Sequence, residues 1–185
     1  LADNFQSFEH TEQFDCITLI GVLEYSNRFI QADNPPLALL EKVKQLLKPD
    51  GKLIIAIENK LGLKYFAGAP EDHLDRAYAG IEDRYNDQTV VTFGKKELSK
   101  LLQRAGLGEG YFFYPFPDYK LPSAIITEKG LQTPGFDVAS LLFEKHEYIQ
   151  QQYYTTNFSN SLAAISLHEN GLMGDLSHSF LVIAG

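Results

Sequence analysis

The sequence predicts an α/β fold built on an open, largely parallel sheet, and three observations carry that prediction. Two short apolar, β-branched runs, Phe14–Ile20 and Lys52–Glu58, show little alternation of polar and apolar residues. That is the pattern of strands covered on both faces. Between them lies a single stripe of leucines and valine at helical spacing, the mark of an amphipathic helix. Strand, helix and strand within roughly 45 residues make a βαβ unit, with parallel strands and a right-handed crossover.

Each element has a local reason. Gly21 closes the first strand. Asn34-Pro35-Pro36 starts the helix, because proline is tolerated in a first helical turn. Leu39, Leu40, Val43, Leu46 and Leu47 form its apolar stripe, and Lys42, Lys44 and Lys48 lie towards its C-terminal half, where the helix dipole favours cations. Lys48-Pro49-Asp50-Gly51 predicts a turn in which proline fixes φ and Gly51 supplies a positive φ. A second helix opens at Gly94 with Glu97 near its third position, carries Leu98, Leu101, Leu102 and Ala105 on one face, and ends at Gly106. Tyr111–Tyr114 predicts a third strand, stopped by Pro115 and Pro117. Asp137 is placed to cap a helix through Leu141, Leu142 and Ile149. Residues 158–169 fit helix and strand equally, and residues 178–184 predict a last strand.

The chain therefore divides into a strand–helix–strand core at 1–58, a Tyr-, Gly- and Asp-rich insertion at 59–92, a helix and strand at 93–115, a second insertion at 116–176 and the last strand at 177–185. One domain of this kind accounts for all 185 residues. The chain opens at Leu1 on a loop-like segment and closes on a strand, so a piece of a longer protein is expected.

Composition narrows the partners. The net charge of −8, with no basic run longer than Lys95-Lys96, disfavours a nucleic acid or an anionic membrane surface. One cysteine builds neither an intrachain disulfide nor a cysteine-based zinc site. The five histidines form no i, i+4 pair, and no metal is expected. No apolar run approaches the ~20 residues that cross a bilayer, and no signal peptide leads the chain, so a cytoplasmic setting is expected.

Three phrases, in order, resemble the C-terminal portion of a class I (Rossmann-like) S-adenosylmethionine-dependent methyltransferase. They are Phe14-Asp15-Cys16-Ile17-Thr18-Leu19-Ile20-Gly21-Val22-Leu23-Glu24-Tyr25, then Leu46-Leu47-Lys48-Pro49-Asp50-Gly51-Lys52-Leu53-Ile54-Ile55-Ala56, then the helix from Lys95 to Leu107 with its aromatic strand. The resemblance implies a three-layer partial sheet whose strands follow the family order 4-5-7-6, the final strand antiparallel, with helical insertions. Glu58-Asn59-Lys60-Leu61-Gly62-Leu63-Lys64-Tyr65 further resembles methyltransferases found beside or fused to bacterial glycosyltransferases. The chain departs from the family in lacking the glycine-rich loop and the ribose-binding acidic residue. The glycines at 106, 108 and 110 follow a helix and precede a strand, the wrong setting for such a loop. In that reading the first three strands lie upstream of Leu1, and the chain alone is inactive.

Ligands of open α/β sheets bind beyond the carboxyl ends of the strands. That rule selects Gly21, Val22, Leu23, Glu24 and Tyr25 after the first strand, Glu58, Asn59 and Lys60 after the second, and Pro115 and Phe116 after the third. Methyl transfer to a hydroxyl gains from a general base, and the candidates are Glu24, Glu58 and His73. Glu24 alternatively pairs with a basic neighbour such as Arg28, Glu58 and Asn59 alternatively satisfy loop backbone, and His73 alternatively sits idle in a solvated acidic loop. The resemblance implies S-adenosylmethionine contacts at Asp3, Asn4, Phe5, Gly21, Val22 and Leu23. Tyr25, Asn59, Tyr78 and Tyr85 are candidates to line the acceptor pocket, with burial in the core as the alternative for the rings. Lys60 and Lys64 either meet an anionic acceptor or are ordinary surface lysines. The expected partner is a small-molecule or glycan acceptor. A scaffold module of a multi-domain glycosyltransferase-type protein is the alternative, and an exposed sheet edge would then favour a homodimer.

Overall fold

The computed structural model describes residues 5–138, 140–143 and 156–185. Its centre is a five-stranded mixed sheet in the order β1-β2-β5-β3-β4. The strands are β1 (Phe14–Ile20), β2 (Leu47–Glu58), β3 (Tyr111–Phe116), β4 (Ala124–Thr127) and β5 (Ser179–Ala184). β1 and β2 are parallel, while β5 runs antiparallel to both β2 and β3. The first four positions reproduce the order implied by the resemblance, antiparallel strand included. The edge strand β4, antiparallel to β3, was not anticipated.

Seven helices are described: α1 (Ser26–Phe29), α2 (Pro35–Leu46), α3 (Leu63–Phe66), α4 (Lys95–Arg104), α5 (Glu128–Leu131), α6 (Ser140–Phe143) and α7 (Asn160–Glu169). The Asn34 side chain accepts from the Leu37 N–H at 3.1 Å and caps α2. α2 then buries Leu39, Leu40, Val43 and Leu46. The Glu97 carboxylate accepts from the Gly94 N–H at 2.8 Å. Gly106, at φ +74°, ends α4, where Leu107 N–H reaches Leu102 C=O and Gly106 N–H reaches Gln103 C=O. These paired bonds satisfy carbonyls the helix leaves open. Leu98, Leu101 and Leu102 meet Leu53, Ile55, Phe180 and Val182 in one hydrophobic core.

The structure corrects several expectations. β1 is not covered on both faces: it pairs with β2 alone among the described residues, and only Leu19 of the strand is buried. Its apolar composition fits a central strand, but its position is an edge. Gly51 has no positive φ. Lys48 to Gly51 form a bulge between the pairs Phe14↔Leu47 and Cys16↔Lys52. Glycine is needed there for close approach, since a Cβ would lie 2.8 Å from the Phe14 carbonyl oxygen. β3 runs through Pro115 to Phe116 rather than stopping before it. Its pairing with β5 ends at Phe113, so the missing Pro115 N–H breaks no ladder on that side. Residues 160–169 are helical, capped by the Ser159 side chain. Asp137 accepts from the Ser140 N–H ahead of the short α6, and Ile149 lies outside the described residues.

Candidate functional site

Three segments bring their polar side chains together beyond the carboxyl ends of β1 and β2. After β1, Gly21 turns at φ +62°, its N–H bonded to the Ala56 carbonyl. A 3-10 turn over Leu23–Tyr25 then sends Leu23 into the core and leaves Glu24 only 1% exposed. Glu58, the last residue of β2, is also 1% exposed. The third segment is the turn at 71–74. Its organiser is Glu71, whose carboxylate accepts from the backbone N–H groups of His73 (2.8 Å) and Leu74 (2.7 Å) and from the Tyr85 hydroxyl (3.2 Å).

That turn aims His73 between the two glutamates. His73 Nε2 is 3.7 Å from Glu58 Oε2. One donor atom from each of Glu24, Glu58 and His73 lies within 4.8 Å of the others. The Tyr25 hydroxyl reaches His73 Nδ1 at 3.4 Å, and the two rings meet edge to face at 5.4 Å. The loop after β3 closes the cluster from the other side. Lys120 Nζ donates to Glu58 Oε1 at 2.7 Å, and the Tyr119 hydroxyl donates to the same oxygen at 3.3 Å. Tyr119 is itself held by a bond from its N–H to Ser179 Oγ on β5.

The two carboxylates are driven in opposite directions. Burial, reinforced by the charge of Glu58, pushes the Glu24 carboxyl up to about 7. Burial alone would raise Glu58 as well, but contact with His73 and Lys120 outweighs it and holds Glu58 down at about 2. Burial would lower His73, yet the carboxylates of Glu58, Glu71 and Glu24 raise it above the ordinary histidine range. The cluster thus combines a carboxylate that its cationic neighbours favour in the ionised form, a carboxyl whose pKa is raised towards neutrality and a histidine inclined to carry a proton.

The remaining sequence candidates are placed differently. Asn59 is fully buried; its amide donates to the carbonyls of Asp175 and Ser177 and its oxygen accepts from Leu61 N–H. It ties the end of β2 to the segment before β5, a structural role rather than an acceptor contact. Tyr85 supports Glu71 and Thr92 from behind the 71–74 turn. Tyr78 accepts from the Asn157 amide and does not reach the cluster. Phe5 packs against the core beneath the Lys42 ammonium, 5.7 Å from the ring centre. Asp3 and Asn4 lie outside the described residues. Val22 is exposed beside the site. Lys60 and Lys64 are neither surface lysines nor free to meet an acceptor: both are buried, Lys60 paired with Asp83 and Glu97, Lys64 with Asp72.

Sequence reasoning missed Tyr119 and Lys120. The signal was present, because the strand-end rule applies to β3 too. The boundary of β3 was set two residues short, so the rule stopped at Phe116 instead of reaching Asp118-Tyr119-Lys120.

No family model matches the chain, and no curated protein does. Among solved structures the chain is similar to a SAM-dependent methyltransferase from Thermotoga maritima, with 14% identity and a TM-score of 0.45 over 95% of this chain and 59% of that one. It is also similar to a chain from the complex between the Haloferax volcanii Trm112 methyltransferase activator and a methyltransferase, with 13% identity and a TM-score of 0.48 over 100% of this chain and 59% of that one. The chain thus spans 59% of the length of each.

Proposed function

We propose that this chain forms the acceptor side of an S-adenosylmethionine-dependent methyltransferase acting on a hydroxyl of a small-molecule or sugar-like acceptor. The observation that carries the reading is the convergence of Glu24, Glu58 and His73 beyond the carboxyl ends of two adjacent parallel strands. The three strand-order phrases in the sequence supply the reaction class.

The residues described here fit one wall of a nucleoside site. Gly21 leaves room that a Cβ would fill, 3.1 Å from the Tyr119 hydroxyl, and Ile20 and Val22 expose apolar surface beside it. The remaining wall is assigned to a glycine-rich segment ahead of β1, and the 185-residue chain by itself is expected to be inactive. When bound, S-adenosylmethionine supplies a methyl group on a positively charged sulfur. The chain's own task is to hold the acceptor oxygen in line with that carbon and to take its proton. With the donor in place, Glu24 would take the proton of the acceptor hydroxyl. Glu58, tied to Lys120 and Tyr119, is already engaged and faces His73 at 3.7 Å. Alignment of this kind supplies several kcal/mol of the barrier reduction.

Calorimetric titration of the full-length protein with S-adenosylhomocysteine tests the reading. A saturable heat is expected; none at millimolar ligand removes methyl transfer.

A further inference from the structure

We infer that Glu24, Glu58 and His73 form a binding site for a divalent transition-metal cation, with one ligand from each of three separate chain segments. The inference builds on the site reading above. It places on the three groups an ion that would hold the acceptor oxygen and acidify its hydroxyl, so that with the ion bound Glu24 serves as a ligand and the proton leaves to solvent.

The cluster is more than a group of acids. Glu24 Oε2, Glu58 Oε2 and His73 Nε2 are all shielded from solvent, and none has a hydrogen-bond partner among the described residues. Glu24 and Glu58 are each 1% exposed. A buried polar atom without a partner costs free energy; Glu24 Oε2 has none among the described residues, and Glu58 Oε2 and His73 Nε2 have only each other, beyond hydrogen-bond distance. The Glu58 and His73 atoms face one another at 3.7 Å, and the donors of all three residues fit within 4.8 Å. Two donors bound at about 2.0–2.2 Å to one ion sit roughly 3.0–3.5 Å apart, so closure around a cation needs side-chain shifts of about 1 Å. Two carboxylate oxygens and one imidazole nitrogen suit manganese(II), iron(II) or zinc(II) better than the all-oxygen preference of calcium or magnesium. Three protein ligands leave coordination positions for water or an acceptor oxygen, the arrangement of a catalytic rather than a structural ion.

The surroundings supply what metal sites add around their ligands. The Glu71 carboxylate fixes the backbone of the turn that presents His73. The Tyr25 hydroxyl engages His73 Nδ1 and leaves Nε2 facing the carboxylates. Groups that orient metal ligands in this way are typically worth 10–100-fold in metal affinity. Lys120 opposes the ion: its ammonium occupies Glu58 Oε1 at 2.7 Å and competes for the same carboxylate.

The test uses chelator-treated full-length protein titrated with manganese(II) chloride and read by the loss of the free-ion electron paramagnetic resonance signal, with zinc(II) chloride followed by calorimetry. One saturable site is expected. Glu24→Gln and His73→Gln should each weaken manganese binding at least tenfold, whereas Glu12→Gln, an exposed carboxylate beyond the other end of β1, should leave it unchanged. Lys120→Met should tighten binding several-fold, a gain that keeps the test decisive if a ligand variant fails to fold. No saturable binding of either ion at millimolar concentration overturns the inference. So does binding that Glu24→Gln and His73→Gln leave intact, or a Lys120→Met protein that binds no more tightly. Manganese binding without S-adenosylhomocysteine binding upholds the cation site and removes methyl transfer; the reverse pattern does the opposite.

Discussion

Lys120 Nζ lies 2.7 Å from Glu58 Oε1, so a cation from the loop after β3 caps the carboxylate that ends β2. The pair is asymmetric, because the Lys120 side chain is 48% exposed and that of Glu58 only 1%. Removing the lysine strands a buried charge, whereas removing the glutamate releases a lysine that water can solvate. Lys120→Met should therefore destabilise by roughly 1–3 kcal/mol, below the full cost of breaking a wholly buried pair because one partner is solvated. The double variant with Glu58→Gln should recover much of that loss. Urea denaturation of the four proteins in the cycle measures the coupling, and strict additivity would show that the contact contributes nothing.

Gly51 predicts a second effect. An alanine Cβ at this position would sit 2.8 Å from the Phe14 carbonyl oxygen and 3.1 Å from Lys48 N, both backbone atoms. Backbone cannot swing aside as a flexible side chain can. Gly51→Ala should cost about 1–3 kcal/mol, the range for overpacked sites, and should speed hydrogen exchange at the β1–β2 pairs nearest the bulge. A neutral substitution would show that the bulge is free to shift.

These two sites mark what sequence could and could not disclose. Short-range chemistry was legible: Asn34 ahead of Pro35, Glu97 after Gly94 and Gly106 at a positive φ each bond within a few residues of chain. Glu24 and Glu58 were legible for a different reason, since strand ends in open α/β sheets converge whatever the side chains. Position within the sheet was not legible from periodicity, although the order implied by the resemblance already placed the first strand at the end of the row. Phe14–Ile20 is apolar enough for a central strand, and periodicity does not report how many neighbours a strand has. Long-range ion pairs were hidden as well: Lys60 meets Glu97 across 37 residues and Lys120 meets Glu58 across 62 (120 − 58), with no local pattern to mark either. Asn59 looked like a rim residue because its three hydrogen bonds include two to residues more than a hundred positions away.

His178 predicts a pH effect. It is buried, its Nδ1 is 3.2 Å from the Pro117 carbonyl, and burial, with the nearby Lys64 charge, depresses its pKa to about 4 from an ordinary 6.5. The unfolded chain then binds more protons between those values, so the contribution is fully present above pH 6.5 and lost as pH falls towards 4. The loss between pH 7 and pH 5 is about 2 kcal/mol. Glu24 acts with the opposite sign: its carboxyl, raised from 4.5 to about 7, adds stability as pH falls through that window. The two limbs offset each other in the wild type, so each must be read by difference. The stability gap between wild type and His178→Gln should narrow towards pH 5, and the corresponding gap for Glu24→Gln should move the other way. Parallel pH profiles would show that His178 protonates without cost.

Glu71 predicts a separation between holding and reacting. Its carboxylate supports the 71–74 backbone through His73 and Leu74 N–H, while Tyr85 contributes one longer bond. Glu71→Ala should cost roughly 2–3 kcal/mol through two unsatisfied N–H groups and displace His73. Tyr85→Phe should cost about 1–2 kcal/mol through the lost bond to the buried Thr92 hydroxyl, yet leave the 71–74 backbone in place because Glu71 keeps its backbone bonds. Nuclear magnetic resonance of the His73 ring should follow the first substitution and ignore the second. An unmoved His73 signal in Glu71→Ala would show that the turn holds its shape without the carboxylate.

Glu24 gives the prediction closest to the proposed chemistry. Its carboxylate is buried, near neutrality in pKa, and has one oxygen without a hydrogen-bond partner among the described residues. Neither a direct proton acceptor nor a metal ligand tolerates conversion to an amide, which accepts no proton and binds cations weakly. Glu24→Gln preserves size, so ground-state packing and donor binding should persist while turnover in the full-length protein falls by about 10²–10⁴. Adding manganese separates the two roles. A lost ligand raises the metal concentration needed for half-maximal turnover, while a lost base lowers the plateau and leaves that concentration unchanged. Turnover equal to wild type in Glu24→Gln would remove Glu24 from the reaction altogether.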